Sequence, residues 1–295
     1  MLMIISQLLA NGIIAGAIYA LMAASFSLIF NTVKFMDLSP GAIFVVSAFA
    51  AYTFNVIFGL PFFISFIFAL IIASLVAMGI NLFVYKPLRK RKATSFSLLL
   101  ASFGVFLFLT GIILLLFGAE IRTFGLPITK GYELLGAIIT KTQIILILTS
   151  VVLFAALFAF MKYTKLGKAM RAVADHKQIA STLGINTEKT INKTFILAAL
   201  LAGIAGILVA LEQNIEHNMG FIVILKGLTP SVIGRIGNVP AALLGGFIIG
   251  IVENVGIWYL PSGYKDAIAF VILILFLLWR PSGLFGVKTR EETSG

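Results

Sequence analysis

Long apolar runs dominate the chain and set its architecture before any single residue is considered. Crossing a hydrocarbon core of about 30 Å takes roughly 20 apolar residues in a helix. Runs of that order lie near 5–30, 40–58, 61–84, 96–117, 143–161, 194–211, 221–236, 240–258 and 265–279. They are far longer than strands and lack the strict alternation of a barrel wall. The pattern therefore predicts an all-α, polytopic membrane helical bundle of about eight to ten transmembrane helices. The fifth to ninth runs are short or interrupted, and the seventh holds Lys226, Thr229, Pro230 and Arg235, which suits a broken or re-entrant helix as well as a full crossing.

The polar segments between runs are short, so residues 1–295 read as a single transmembrane domain. Segment 118–142 contains Gly125, Pro127 and Gly131 and reads as a structured external loop. Segment 162–193 is different: between Tyr163 and Asn186 it carries Lys165, Lys168, Arg171, Lys177, Asp175 and His176. Good helix formers follow Gly167, with Met170, Val173 and Ala174 on one side and Lys168, Arg171 and Asp175 mostly elsewhere. A second piece, Gln178 to Leu183, stops at Gly184, a C-cap residue. One or two short amphipathic helices are expected. Anionic lipid would satisfy the charges, but Ala169, Ala172 and Ala180 form a small-residue face that suits a protein groove better than an acyl-chain bed. An internal echo links SPGAIFVVSAF at 39–49 with VPAALLGGFII at 239–249, each with Pro near a helix start followed by small residues.

Composition agrees with the pattern. Mean hydropathy is +1.11, 60% of residues are hydrophobic and only 11% are charged, more apolar surface than a soluble domain of this size could bury. A net charge of +11 would suggest nucleic acid in a soluble protein; here it marks cytoplasmic loops, and no nucleic-acid partner is expected. Placing Lys34, 86–95, 162–193, Arg235 and the tail from Arg280 inside collects 17 of the 22 basic residues. That asymmetry predicts an outside N-terminus and a cytoplasmic C-terminus. Met1 to Val33 carries no Lys or Arg, so no cleavable signal peptide is expected and the first run stays as a span. There are no cysteines, which excludes disulfides and thiolate chemistry.

Candidate chemistry is sparse. No GxxxxGK[ST] loop occurs, so any ATP-driven step belongs to another subunit. No catalytic constellation assembles, and His217 with Glu212 and Glu216 reads as a solvated external cluster rather than a metal site. Ionisable groups inside spans are expensive and draw attention by default. Lys226 reads as a snorkelling side chain; for Glu253 two readings stay open, a partner for a neighbouring helix or part of a path. Lys34 and Asp37 mark an interface, while Ser39-Pro40-Gly41 would break helical hydrogen bonding near Asp37, a break tolerated where backbone is buried in protein or faces water. Asp37, Ser39, Pro40, Gly41, Asn238 and Glu253 are the candidate translocation path.

TKLGKAMRAVADHKQIASTLGIN resembles the cytoplasmic coupling loop of the branched-chain amino acid permease family, inner-membrane subunits of bacterial ABC importers. The family pattern T-x-x-G-x-A-x-R-A-x-A, then Asp or Asn, then A-x-x-x-G-I-N is met by Thr164, Gly167, Ala169, Arg171, Ala172, Ala174, Asp175, Ala180, Gly184, Ile185 and Asn186. Similarity extends through 16–30, 233–253 and 264–286, and the compact length resembles the shorter of the two permease types. Two departures stand near the expected path: Asp37 to Ala42 replaces a usual N-F-A-H-G-E, and Arg235 takes the second place of a usual double Gly. The resemblance implies a chain without cofactor or catalysis, seated in lipid of the bacterial inner membrane. It also implies two ABC ATPase subunits, a second permease and an extracytoplasmic substrate-binding protein as partners. Gly167, Ala169, Arg171, Ala172, Asp175, Ala180 and Gly184 would couple to the ATPase, with Arg171 and Asp175 pairing with each other or with ATPase charges. A related permease for urea, nucleosides or sugars is the alternative cargo. A secondary transporter or channel is the alternative class, against which Glu253 stands as nearly the only acid in a span.

Overall fold

A computed structural model describes residues 2–125, 131–134, 136–258, 261–279, 283 and 284. Of the expected tail from Arg280 only residues 283 and 284 are described, and Pro127 lies outside the described residues. Helix dominates. α1 (Leu2–Val33) runs for 32 residues, about 48 Å at 1.5 Å per residue, and so outreaches the hydrocarbon core. α2 (Ser39–Tyr52) continues through a π-helical turn, Thr53–Ile57. α3 (Phe62–Ile80) passes through a second π-helical turn, Asn81–Tyr85, into α4 (Lys86–Lys90). α5 (Ser95–Phe117) and α6 (Lys141–Tyr163) follow, each started by a threonine: Thr94 accepts from Ser97 N at 3.2 Å, and Thr140 forms a capping box with Gln143. α7 (Lys165–Asp175), α8 (Lys177–Thr182), α9 (Thr187–Glu212), α10 (Met219–Gly234), α11 (Val239–Gly256) and α12 (Lys265–Trp279) complete the order.

Seven of these helical stretches are long and apolar enough to cross a membrane. α10 and α12, with 16 and 15 residues, are shorter. The seventh run, expected as broken or crossing, is one continuous helix that carries Pro230 within it and ends at Arg235. Segment 118–142, expected as a structured external loop, forms a hairpin where described: β1 (Tyr132–Leu134) pairs antiparallel with β2 (Ala137–Ile139), Glu133 opposite Ile138. Gln7 of α1 holds this hairpin, exchanging hydrogen bonds with the Ile138 backbone at 3.1 and 2.8 Å.

Burial sorts the helices. The apolar windows of α1 and α9 are 83% and 78% buried, against 22% and 17% for α5 and α6, so α1 and α9 form the core and α5 and α6 lie at the periphery of the bundle. In lipid, apolar surface gives no drive between helices; close backbone contact and interhelical hydrogen bonds do. Both are present. Gly12, Gly16 and Ala20 recur every fourth residue on α1 and meet Gly246 and Gly250 of α11: a Cβ on Gly16 would lie 2.9 Å from Phe247 Cα, one on Gly246 2.5 Å from Ala20 Cα. Serines pin the neighbours, Ser25 Oγ donating to Ala198 O at 2.9 Å, Ser47 Oγ to Gly203 O at 3.0 Å and Ser231 Oγ to Ala23 O at 3.1 Å. The echoed segments 39–49 and 239–249 are both helix starts with Pro in the first turn, α2 and α11.

Candidate functional site: a coupling face and two polar cavities

At the end of the bundle where α1 and α6 finish, α7 and α8 lie as an amphipathic pair. Thr164 caps α7, its Oγ1 accepting from Gly167 N at 3.0 Å, and a Cβ on Gly167 would lie 2.7 Å from Met161 Cα, so only glycine lets α7 fold back on the end of α6. Gly167, Met170, Val173 and Ala174 are buried toward the bundle, as is Ala180 of α8. Gly184 closes α8 at φ +84°, with Ile185 N donating to Ala180 O at 3.0 Å. Ala169 and Ala172 are half-buried, while Arg171, Asp175 and Gly184 are exposed. Ile179 and Leu183 stand 55% and 75% exposed beside them, two apolar side chains that the alanine pattern had not drawn attention to. Arg171 and Asp175 do not form an ion pair with each other; Arg171 donates to Lys162 O at 3.4 Å and leaves Asp175 facing outward.

This pair of helices is tied to the membrane helices by charge. Glu188, in the first turn of α9, receives Arg89 of α4 at 3.3 Å and Lys177 of α8 at 3.8 Å. Arg89 also donates to Asn81 Oδ1 at 2.9 Å, and Asn81 donates to Asn192 Oδ1 at 2.6 Å. One carboxylate thus links α8 to α4 and α9, and Arg89 extends the link to the π-helical turn after α3.

Asp37, Ser39, Pro40 and Gly41 are all buried at the start of α2. Asp37 accepts from Ser39 N at 2.9 Å, from Ser39 Oγ at 2.8 Å and from the Tyr85 hydroxyl at 2.5 Å, which joins the α1–α2 turn to the π-helical turn of α3. Burial pushes its carboxyl pKa up, and the Tyr85 and Ser39 hydrogen bonds partly restrain that rise. Gly41 admits close packing of α2 on α10: a Cβ there would lie 2.9 Å from Gly220 O. These four residues form a brace.

Two cavities flank α1 at its opposite ends. The cavity at its C-terminal end measures about 580 Å³ and is lined by Lys34, Lys162, Arg171, Arg235 and Asp175, with Asn238 at its floor as N-cap of α11, accepting from Ala241 N at 3.3 Å. Arg235 stands at φ +139°, a conformation that favours glycine, in the very place where the permease pattern has one. The cavity at the N-terminal end of α1 measures about 460 Å³ and has Asn11, Tyr19, Gln143, Glu212, Lys226, Asn254 and Lys265 in its wall. Lys226 does not snorkel. Its ammonium meets Glu253 at 2.8 Å, Asp266 at 2.7 Å and the Tyr19 hydroxyl at 2.9 Å, joining α1, α10, α11 and α12. Glu253 is fully buried, with one carboxylate oxygen on Lys226 of α10 and the other without a hydrogen-bond partner among the described residues. Glu212 accepts from Gln143 at 2.6 Å, and among the described residues no group of three or more acids or histidines could hold a metal. The six residues expected to line a path thus fall in three places: the brace at 37–41, Asn238 in one cavity wall, and Glu253 beside Lys226 of the other.

Seven helical stretches long and apolar enough to cross a membrane, tied by buried polar contacts, define an integral membrane protein. The chain belongs to the family described as branched-chain amino acid transport system / permease component, which matches residues 8–277. It is 31% identical to the high-affinity branched-chain amino acid transport system permease protein LivH of Salmonella typhimurium, over 97% of each chain. To the corresponding protein BraD of Pseudomonas aeruginosa it is 29% identical, again over 97% of each. Its fold is shared with PsaBC from Streptococcus pneumoniae in complex with Fab, at a TM-score of 0.53 and 15% identity, over 93% of this chain and 92% of that one.

Proposed function

We propose that the chain is the non-catalytic permease subunit of an ABC importer in the bacterial inner membrane, forming part of the path for branched-chain or related small amino acids. It works with two ATPase subunits, a second permease, homologous or identical, and an extracytoplasmic substrate-binding protein. The N-terminus lies outside, and the basic end with α7 and α8 lies in the cytoplasm, where Lys34, Lys86–Lys92 and Lys162–Lys193 gather. The 460 Å³ cavity is then the outer one and the 580 Å³ cavity the inner one. The observation that carries the reading is the division of labour within 162–193: Gly167, Met170, Ala174 and Ala180 fix the helices to the bundle, while Arg171, Asp175, Ile179, Leu183 and Gly184 stand outward. An ATPase groove that seats Ile179 and Leu183 and pairs with Arg171 and Asp175 moves α8. The Lys177–Glu188–Arg89 chain passes that movement to α9 and α3. In the path, Asn238 sits at the inner mouth, Glu253 anchors Lys226 below the outer one, and Asp37, Ser39, Pro40 and Gly41 hold α2 in place between them.

The test is ATP-driven uptake by the importer reconstituted in vesicles with its binding protein. Arg171→Glu, a bulky change at Ala172 and Leu183→Asp are expected to leave the chain inserted and monodisperse while abolishing leucine accumulation. Unchanged uptake and unchanged substrate-stimulated ATP hydrolysis in all three would contradict the docking role.

A further inference from the structure

The cavity of about 580 Å³ at the C-terminal end of α1 gathers cations from four separate segments: Lys34 after α1, Lys162 at the end of α6, Arg171 of α7 and Arg235 after α10. Among the described residues of its lining, Asp175 is the only acid. Elsewhere at this end of the bundle cations meet a carboxylate, Arg89 and Lys177 both on Glu188. Here two neighbouring cations are placed by a ring face and a carbonyl. The Lys162 ammonium lies 5.7 and 5.3 Å from the ring centres of Phe158 and Tyr163, and Arg171 donates to the Lys162 carbonyl at 3.4 Å. Like charges gathered around one concavity raise its potential and favour an anion within it. Deeper in, the wall is apolar. α6 and α11 touch through Phe154 and Phe247, ring centres 5.9 Å apart. One turn nearer α7 the corresponding side chains, Phe158 and Leu243, line the cavity instead, so the two helices part there. Phe158 is 54% exposed on peripheral α6, which gives this cleft an apolar side toward the membrane.

We propose that this cavity is a binding site for one anionic phospholipid, its phosphate held by Lys34 and Lys162 and the first part of an acyl chain laid along Phe158 and Leu243. Cations at the helix ends above an apolar cleft one turn deeper have the polarity of a lipid, whereas a soluble anion would have no use for the cleft. Basic pockets between membrane helices at the level of the head groups suit anionic lipids by charge, and an ammonium on a phosphate oxygen makes a charge-assisted hydrogen bond. Arg171 and Arg235 add positive potential at the rim. Asp175 repels a phosphate brought close to it and accepts from the hydroxyls of a glycerol head group. Phosphatidylglycerol therefore fits the lining better than phosphatidylcholine, which carries no net charge. The site goes beyond the importer reading and needs only that α6 and α11 cross the membrane. Joined to that reading, it makes the lipid one wall of the inner mouth at Asn238, completing the bundle where α6 parts from α11.

The test is native mass spectrometry of the full chain in detergent, titrated with dioleoyl phosphatidylglycerol or dioleoyl phosphatidylcholine. One phosphatidylglycerol is expected to bind saturably and at least fivefold more tightly than phosphatidylcholine. The double change Lys34→Gln with Lys162→Gln should remove that preference, and Lys34→Arg with Lys162→Arg should keep it. Lys90→Gln with Lys92→Gln takes the same charge from the same end of the molecule, outside the cavity, and should leave binding unchanged. Equal melting of all variants in lipid-free detergent shows that they are folded. Inorganic phosphate and glycerophosphoglycerol, the head group without its acyl chains, should not displace the lipid. Equal binding of the two lipids, or equal loss in the Lys90 and Lys92 variant, would reduce the cavity to general surface charge and overturn the proposal. Displacement by phosphate or glycerophosphoglycerol would overturn it in favour of a soluble-anion site.

Discussion

The ammonium of Lys226 sits 27 residues from Glu253 and 40 from Asp266 along the chain, yet touches both. Such a buried pair is not in itself a source of stability, because desolvation offsets the attraction; removing one partner, however, leaves an uncompensated charge and costs about 3–5 kcal/mol. Lys226→Met should therefore lower the unfolding temperature in detergent sharply, and adding Glu253→Gln should recover most of the loss, measured by thermal scanning of the purified single and double variants. Arg235 offers the opposite prediction. A side chain held at φ +139° stores strain of about 1–3 kcal/mol, more than the roughly 0.5–1 kcal/mol that glycine's greater freedom in the unfolded chain takes away. Arg235→Gly should raise the unfolding temperature, and an unchanged or lower value would show that the arginine's contacts outweigh its backbone. Both residues stood out in the sequence as charges where charge is expensive. Their roles did not, because a Lys in a span can snorkel or pair, and only the register of α10 against α11 and α12 decides which.

Helices as elements were legible because run length in lipid is a direct physical requirement, and every long run became a helix. Their pairing was not. The glycines of α1 and α11 are separated by more than two hundred residues, and a four-residue spacing of small side chains names a surface without naming what lies on it. Gly16→Leu and Gly246→Leu should each force α1 from α11 and cost about 1–3 kcal/mol or more, read as lost yield and a lower melting temperature; Gly104→Leu on peripheral α5, where a Cβ meets nothing within 4 Å, should be tolerated. The coupling segment was legible in outline, since its amphipathic spacing and terminal glycine both appear as expected. Glu188 was not, because an acid in a first helical turn reads as a dipole partner until Arg89 and Lys177 are seen around it. Half-exposed pairs of this kind contribute about 0.2–1 kcal/mol each, so Glu188→Gln should leave the protein folded and ATP hydrolysis intact while reducing uptake severalfold per ATP hydrolysed.

As a whole, the molecule is a membrane-embedded bundle with one proposed ATPase-facing end. The absence of cysteine makes its topology directly testable. A single cysteine at Leu183 should react with a membrane-impermeant maleimide only when inverted vesicles or lysed cells expose the inner surface, and one at Glu216 only from outside; the reverse labelling would invert the assignment. The substrate class rests on kinship with branched-chain amino acid permeases, and the proposed ATPase contact on the outward face of α7 and α8. Leucine accumulation decides the matter, in vesicles holding the chain with its second permease and ATPase subunits, supplied with binding protein outside and ATP inside. For an ABC permease subunit, accumulation requires ATP hydrolysis and is abolished by Leu183→Asp with the chain still inserted. Accumulation that persists without the ATPase subunits, driven by a proton or sodium gradient, would contradict it.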